Sequence, residues 1–294
     1  MQPRTSGAGD RPLVTWYHGA AGQRVELSRA TFGNWVAKTA NLLVEELGLE
    51  AGDRVAVLLP SHWLGPALLA ACWRAGISAV PVGPGAQREA AAALLAEAGC
   101  AAGFVHEGLL AEVPARFPGG PPPLLVVTDD LLGRSDAELG AAQPFARLAA
   151  SMPDHFDGQR AAPEAEALLV AEHGGARSEQ GGARSWTQAD LAGAAADLGA
   201  RLGLRDGDRL YSGLGLDRAA GVVAGAAVPT MLGNGVVLER DPDPRAVPER
   251  LAAERVTVAL LEPEQASAVQ AGPGPDPAIR LVVAPFTSDS FRRP

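Results

Sequence analysis

The sequence predicts an α/β fold in which two related βα subdomains each carry a layered, largely parallel sheet. Three observations predict it. Short apolar runs alternate with single helical patterns along most of the chain, and strands joined through single helices pair in parallel. The pattern Leu-Gly-Leu-x-x-Gly-Asp-Arg occurs twice, over 47–54 and 202–209, at an offset of 155 residues. The same offset lays His18-Gly19 on His173-Gly174. Both halves therefore read strand, glycine turn, strand, helix, polar turn, strand, as an internal repeat does.

The elements follow in order. Residues 1–12 are polar and are expected to form a disordered N-terminus. "LVTWYHGAAGQRVELS" reads as a hairpin turning at Gly19 to Gly22. Ser28 or Thr31 can cap the helix "FGNWVAKTANLLVEEL", which Gly48 ends. A buried strand runs from Arg54 to Leu59, then a helix from about His62 to Ala75 closed by Gly76. The strand "SAVPV", the helix "REAAAALLAEA" and the strand "AAGFV" complete a first subdomain, 13–118. Residues 119–166 are rich in Pro, Asp and Gly, hold one strand at 124–128, and read as a connecting region. The second subdomain, 167–294, resumes the alternation. Its strands are 167–171, "RLYSG", "GVVLE", "TVALL" and "IRLVVA"; its helices are 188–202, "DRAAGVVAGAAVPTML", "RAVPERLAAE" and "PEQASAVQA". In both copies of "GDR" the glycine supplies the turn and the Asp-Arg pair is expected to stay in water.

Composition bounds the function. The 294 residues are 47% apolar and 20% charged, with a net charge of −9, an ordinary globular composition. The acidic balance argues against nucleic acid or an anionic membrane as partner. No apolar run reaches membrane-spanning length and no signal-peptide core opens the chain. Cys72 and Cys100 have no metal spacing and read as buried free thiols of a reducing, cytoplasmic compartment. Lys38 is the single lysine; every other basic side chain apart from histidine is arginine.

"HGGARSEQGGARS", His173 to Ser185, stands between a strand and a helix, where glycine-rich loops hold phosphates. It has no lysine, and Ser178 and Ser185 are its only hydroxyls. The repeat gives it another role: the hairpin turn of the second copy, lengthened by a duplicated "GGAR" (174–177 and 181–184) and carrying exposed side chains. His62 follows a strand end, where open α/β sheets bind ligands. It is the candidate cleft residue, against the plainer expectation of a solvated or capping histidine. His18 is expected to be structural, Trp35, Trp63 and Trp73 to be core, Asp129-Asp130 to be a turn, and Glu45-Glu46 to lie on a solvated helix face. No metal site and no nucleophile–base arrangement assembles from the spacing.

The run "VELSRATFGNWVAKTANLLVEELGLEAGDRVAVLLPSHWLGPALLAACWRAGISAVPVGPG" resembles the opening of adenylate-forming enzymes: acyl-CoA synthetases, luciferases and peptide-synthetase adenylation domains. It is more similar still to a group of short bacterial proteins that look like only the N-terminal part of such enzymes. The resemblance is clearest over 23–85 and 167–260. It implies the fold of their N-terminal domain without the C-terminal lid, and ATP or AMP as the cofactor. The family's phosphate loop, "TSGTTGxPKG", falls on a degraded loop here, whose candidate contacts are His173, Gly174, Gly175, Arg177, Ser178 and Arg184. The loop's lysine position falls on Gly182, and the helix start that follows looks like Thr187 to Leu191. Arginine does not simply replace that lysine, because a planar fork differs from a point ammonium.

The family's "GxTE" segment and "TGD" aspartate have no counterpart, and the domain with the catalytic lysine would lie beyond Pro294. These departures imply a degenerate AMP-binding-like protein that binds a small-molecule ligand or a protein partner without adenylating. The alternative is an acyl- or aryl-AMP ligase working with atypical residues or with a lid supplied in trans. An edge strand ending at about Ala284 adds the expectation of a homodimer or a tight partner complex.

Overall fold

The computed structural model describes residues 11–83, 97–113, 123–135, 138–158, 160–171, 183–271 and 279–283. The N-terminal ten residues, nearly all of the helix expected at 88–98, and loop residues His173, Gly174, Gly175, Arg177, Ser178 and Gly182 lie outside them. The first half carries β1 (Val14–His18), β2 (Gln23–Leu27), α1 (Arg29–Asn41), β3 (Arg54–Leu58), α2 (Gly65–Ala75), β4 (Ser78–Val82) and β5 (Ala102–His106). β6 (Leu124–Val127), β7 (Gln143–Pro144) and α3 (Phe145–Ala150) follow. The second half carries β8 (Glu166–Ala171), β9 (Ala183–Thr187), α4 (Gln188–Arg201) and β10 (Arg209–Ser212). A continuous helical stretch is α5 (Ala219–Val222), a π-helical segment (Val223–Ala227) and α6 (Val228–Met231). β11 (Gly235–Arg240), α7 (Val247–Ala253), β12 (Val258–Leu261), α8 (Pro263–Ala271) and β13 (Arg280–Val283) complete it.

Two sheets result, ordered β13-β12-β10-β11-β1-β2 and β7-β6-β5-β3-β4-β8-β9. Apart from β7 the orders correspond strand for strand, with β1, β2, β3, β4, β5 and β6 standing as β8, β9, β10, β11, β12 and β13. The hairpins have changed places. β1 pairs in parallel with β11 of the second half, while β8 pairs with β4 of the first. Within each hairpin the strands are antiparallel; all other pairs are parallel. β4, buried on both faces, is apolar or small throughout, as interior parallel strands are.

The helices lie in a core shared by both sheets. Trp16, Leu42, Leu43, Leu68, Leu69, Trp186, Leu198, Val222 and Leu238 belong to one continuous buried cluster. Each large apolar side chain buried there contributes on the order of 1.5–3 kcal/mol. Separate clusters cover the other faces, around Leu58, Val80 and Val105 on the seven-stranded sheet and around Tyr211, Val237 and Leu251 on the six-stranded one. Trp63 and Trp73 are buried as expected, with Trp35 packed against the core. Both cysteines are buried free thiols, and burial pushes the Cys72 thiol up to about 12. No helix among the described residues is long and apolar enough to cross a membrane.

The repeated turn is one structure used twice. Gly52 and Gly207 have φ of +97° and +84°, a region that favours glycine. The following aspartate closes the turn in each copy: Asp53 Oδ2 accepts from Glu50 N and Asp208 Oδ2 from Arg205 N, both at 2.8 Å. The arginines depart from expectation. Arg209 is buried, donating to Glu254 Oε2 at 2.6 Å and to Thr15 Oγ1. Arg54 forks onto Glu166 at 2.7 and 3.1 Å. A guanidinium at the first position of an interior strand is covered by its neighbours and needs a carboxylate there.

Candidate functional site

The base of the second hairpin sits on the Arg54–Glu166 pair. Ser185 Oγ donates to Glu166 Oε2 at 2.6 Å. Burial raises the Glu166 carboxyl, but Arg54, Ser185 and Ser78 outweigh it and hold the group below its usual range. Arg184 was expected to be an exposed loop side chain. It is half-buried, with its guanidinium carbon 4.7 Å from the Trp186 ring centre, because the strand continues through it to Thr187. Thr187 opens α4 with a full capping box: its side chain accepts from Asp190 N, and Asp190 Oδ2 accepts from Thr187 N. The antiparallel pairing of β8 with β9 makes the 172–182 connection a hairpin connection. It joins strands that the first copy joins through Gly19 to Gly22 alone.

A different group of side chains meets where the carboxyl ends of the two sheets converge. His18 ends β1, His106 ends β5 and Arg240 ends β11; His62 follows β3 and Asp129 follows β6. Asp129 lies at the centre. Its Oδ2 accepts from Arg240 Nη1 at 2.7 Å, and its Oδ1 accepts from His106 Nε2 at 3.2 Å. His62 Nε2 is 3.6 Å from Oδ1, and His18 Nδ1 is 3.8 Å from Oδ2. Burial pushes the Asp129 carboxyl up, yet His106, Arg240 and His62 bring it down to about 2.

The backbone sets two of the histidine tautomers. Leu64 N donates to His62 Nδ1 and Gly108 N donates to His106 Nδ1, each at 3.1 Å. With Nδ1 accepting, Nε2 carries the proton in the neutral ring. His62 Nε2 donates to Thr128 O at 3.2 Å, and His106 Nε2 to Asp129. Burial pushes the His62 imidazole down to about 3, against the pull of Asp129. The ring lies against Trp16 and Trp63, with centroids 5.4 Å away in each case.

Two expectations change here. His62 is fully buried instead of solvated, and its Nδ1 accepts from Leu64 N ahead of α2, whose N-cap has no side-chain hydrogen bond. Asp130 is the turn residue, accepting from Leu132 N and held by the Arg134 fork, whereas Asp129 binds its neighbours across both sheets. His18 belongs to this cluster, with Nδ1 buried and without a hydrogen-bond partner. His106 and Arg240 went unrecognised in the sequence. The available signal was an ionisable residue at the end of an apolar strand, as in "AGFVH" and "GVVLER". Among the described residues no group of His, Cys, Asp and Glu has the geometry to hold a metal ion.

The swapped pairing gives this cluster a counterpart position. Asp217, 155 residues after His62, follows β10 and packs against Gly83 after β4, where an added Cβ would overlap its carboxylate.

Comparison with known proteins agrees with this architecture. The Brucella canis acyl-CoA synthetase superposes with a TM-score of 0.76 at 19% identity, over 91% of this chain and 47% of that one. The anthranilate CoA ligase AuaEII, in complex with anthranoyl-AMP, gives 0.77 at 16% identity, over 95% and 52%. The chain thus spans about half the length of these two enzymes. A "TIGR03089 family protein" of Mycobacterium tuberculosis is 30% identical over 261 residues, 85% of this chain and 91% of that protein. The family model for "AMP-binding enzyme" matches residues 2–169. A match over more than half of the chain, with a relative of this similarity along nearly all of its own length, means that the chain belongs to the AMP-binding enzyme family.

Proposed function

We propose that this member of the AMP-binding enzyme family binds a small ligand or a protein partner and does not activate carboxylates with ATP. The observation that carries the reading is the base of the β8–β9 hairpin. Ser185 is bonded to Glu166 and Arg184 covers Trp186, so both polar side chains there are engaged within the sheet. The single lysine is remote from that hairpin in sequence and donates from α1 to the carbonyls of Ala150 and Met152. Transfer to an α-phosphate depends on donors held in advance around the developing charge. The sequence of the hairpin supplies neither the lysine nor the hydroxyl run for that task.

The test is carboxylate-dependent exchange of labelled pyrophosphate into ATP, run with short, long and aromatic acids. The expected outcome is no exchange above the protein-free background. Exchange that disappears when 173–185 is altered would overturn the reading and establish the alternative, an acyl- or aryl-AMP ligase. The nucleotide bound by the AuaEII relative makes AMP and ATP the first ligands to screen by thermal shift. A second copy or a partner along β13 belongs to the same reading, because among the described residues β13 pairs only with β12 and Val283 is exposed. Light scattering at micromolar concentration should give a mass above that of a monomer; a strict monomer with no co-purifying partner contradicts this part.

A further inference from the structure

We propose that His18 and Arg240 form a binding site for a small oxyanion, a phosphate or a carboxylate, at the solvent-facing side of the cluster centred on Asp129. Two buried nitrogens there lack hydrogen-bond partners: His18 Nδ1 and Arg240 Nε. Folded proteins seldom leave such groups unpaired, and each case calls for a partner or a task. The two side chains are also the open part of the cluster. They are 17% and 18% exposed, while His62 and His106 stand behind them at 0% and 5%.

The geometry of Arg240 favours an oxyanion. Asp129 takes the Nη1 end of the guanidinium at 2.7 Å, which leaves the Nε–Nη2 edge, a face suited to two parallel bonds to a carboxylate or phosphate. Asp241 pairs with that edge at a distance, its Oδ2 3.8 Å from Nε and beyond hydrogen-bond reach, on a side chain that is 80% exposed. The charges permit the arrival of an anion. Arg240 offsets Asp129, and an anion on its Nε–Nη2 edge would take the place of Asp241. The other ionisable groups facing His18 are His62 and His106, both bonded to the Asp129 loop, and Glu239 beside Gly19, held by Arg250 and Tyr211. The proposal does not depend on whether the β8–β9 end adenylates.

The experiment titrates the full chain with inorganic phosphate, AMP and benzoate at constant ionic strength, reading thermal shift and calorimetric binding at pH 6 and pH 8. Saturable binding of at least one of these is expected. Phosphate and AMP without benzoate identifies a phosphate site, and benzoate alone a carboxylate site. Arg240→Lys keeps a charge beside Asp129 but loses the fork, and should weaken binding about tenfold or more. His18→Asn should weaken it. Arg177→Ala with Arg184→Ala should leave it unchanged. No saturable binding, binding unaffected by Arg240→Lys, or binding lost in the hairpin double variant would overturn the proposal.

Discussion

At Asp129 a single carboxylate gathers side chains from four other strand ends, and its neighbour His62 gives the clearest pH prediction. Its imidazole titrates at about 3 in the folded chain and at about 6.5 in an unfolded one. Below about pH 6.5 the unfolded chain takes up a proton that the folded chain refuses, so stability falls as pH falls, down to about pH 3. The slope from this residue alone approaches about 1.4 kcal/mol per pH unit. Asp129 adds a loss of the same direction below about pH 3.8, where the unfolded carboxyl is protonated before the folded one at about 2. Urea unfolding at pH 7.5, 6 and 5 checks this. His62→Asn, which keeps an acceptor for Leu64 N, should be less stable at pH 7.5 but show a flatter slope; an unchanged slope would contradict the assignment. His62 was legible because it follows an apolar strand before a helix. Its burial was not, since the residues that cover it, Trp16 and Thr128, come from segments distant in sequence. Arg209 misled for the same reason: Glu254 and Thr15, which make its burial tolerable, are 45 and 194 residues away.

Elements were more legible than contacts, because their signals are local. The helix expected at "PEQASAVQA" is α8 residue for residue. Ser28, one of two caps considered, is the observed cap of α1, accepting from Thr31 N. The repeat shows where a fixed offset fails. The helix caps Ser28 and Thr187 are 159 residues apart, while the "LGLxxGDR" runs are 155 apart. Four extra residues lie in the first copy, where the π-helical Leu42–Glu46 extends α1, a local lengthening that apolar periodicity does not reveal. Two substitutions test the packing of these elements. Gly221 on α5 lies so close to the Gly215 carbonyl that an added Cβ would overlap it. Gly221→Ala should cost roughly 3 kcal/mol or more by overpacking, read as a lower urea midpoint with the slope retained. Arg184→Ala removes the contact over Trp186 and should cost roughly 0.5–1 kcal/mol without changing any nucleotide-dependent shift in melting temperature. A nucleotide response lost in that variant would return Arg184 to the phosphate-binding role that the resemblance implied.

At the scale of the whole molecule the exchanged hairpins decide how the chain holds together. The sequence showed two similar halves and so two layers, but pairing partners separated by some 220 residues leave no local trace, and the exchange of β1–β2 for β8–β9 was not legible. Its physical consequence is that neither half completes its own sheet. Without the second half, β4 loses β8 and becomes an edge buried on both faces; without the first, β11 loses β1 along a register running from Val14–Val236 to His18–Arg240. Each orphan edge would expose unpaired backbone groups and apolar side chains, which folded proteins cover. The shared core would also be divided, since Trp16 and Leu68 belong to the first half, and Trp186 and Val222 to the second. A cut between residues 163 and 164, ahead of β8, therefore yields two fragments that should each fail to fold, with circular dichroism showing no cooperative thermal transition and gel filtration showing aggregates. Refolded together from denaturant, they should form a 1:1 complex with a cooperative transition, and the β1–β11 register should return as protected amides in hydrogen exchange. A cooperative transition in either fragment alone would mean that each half can close its own sheet, and that the exchange is not what joins them.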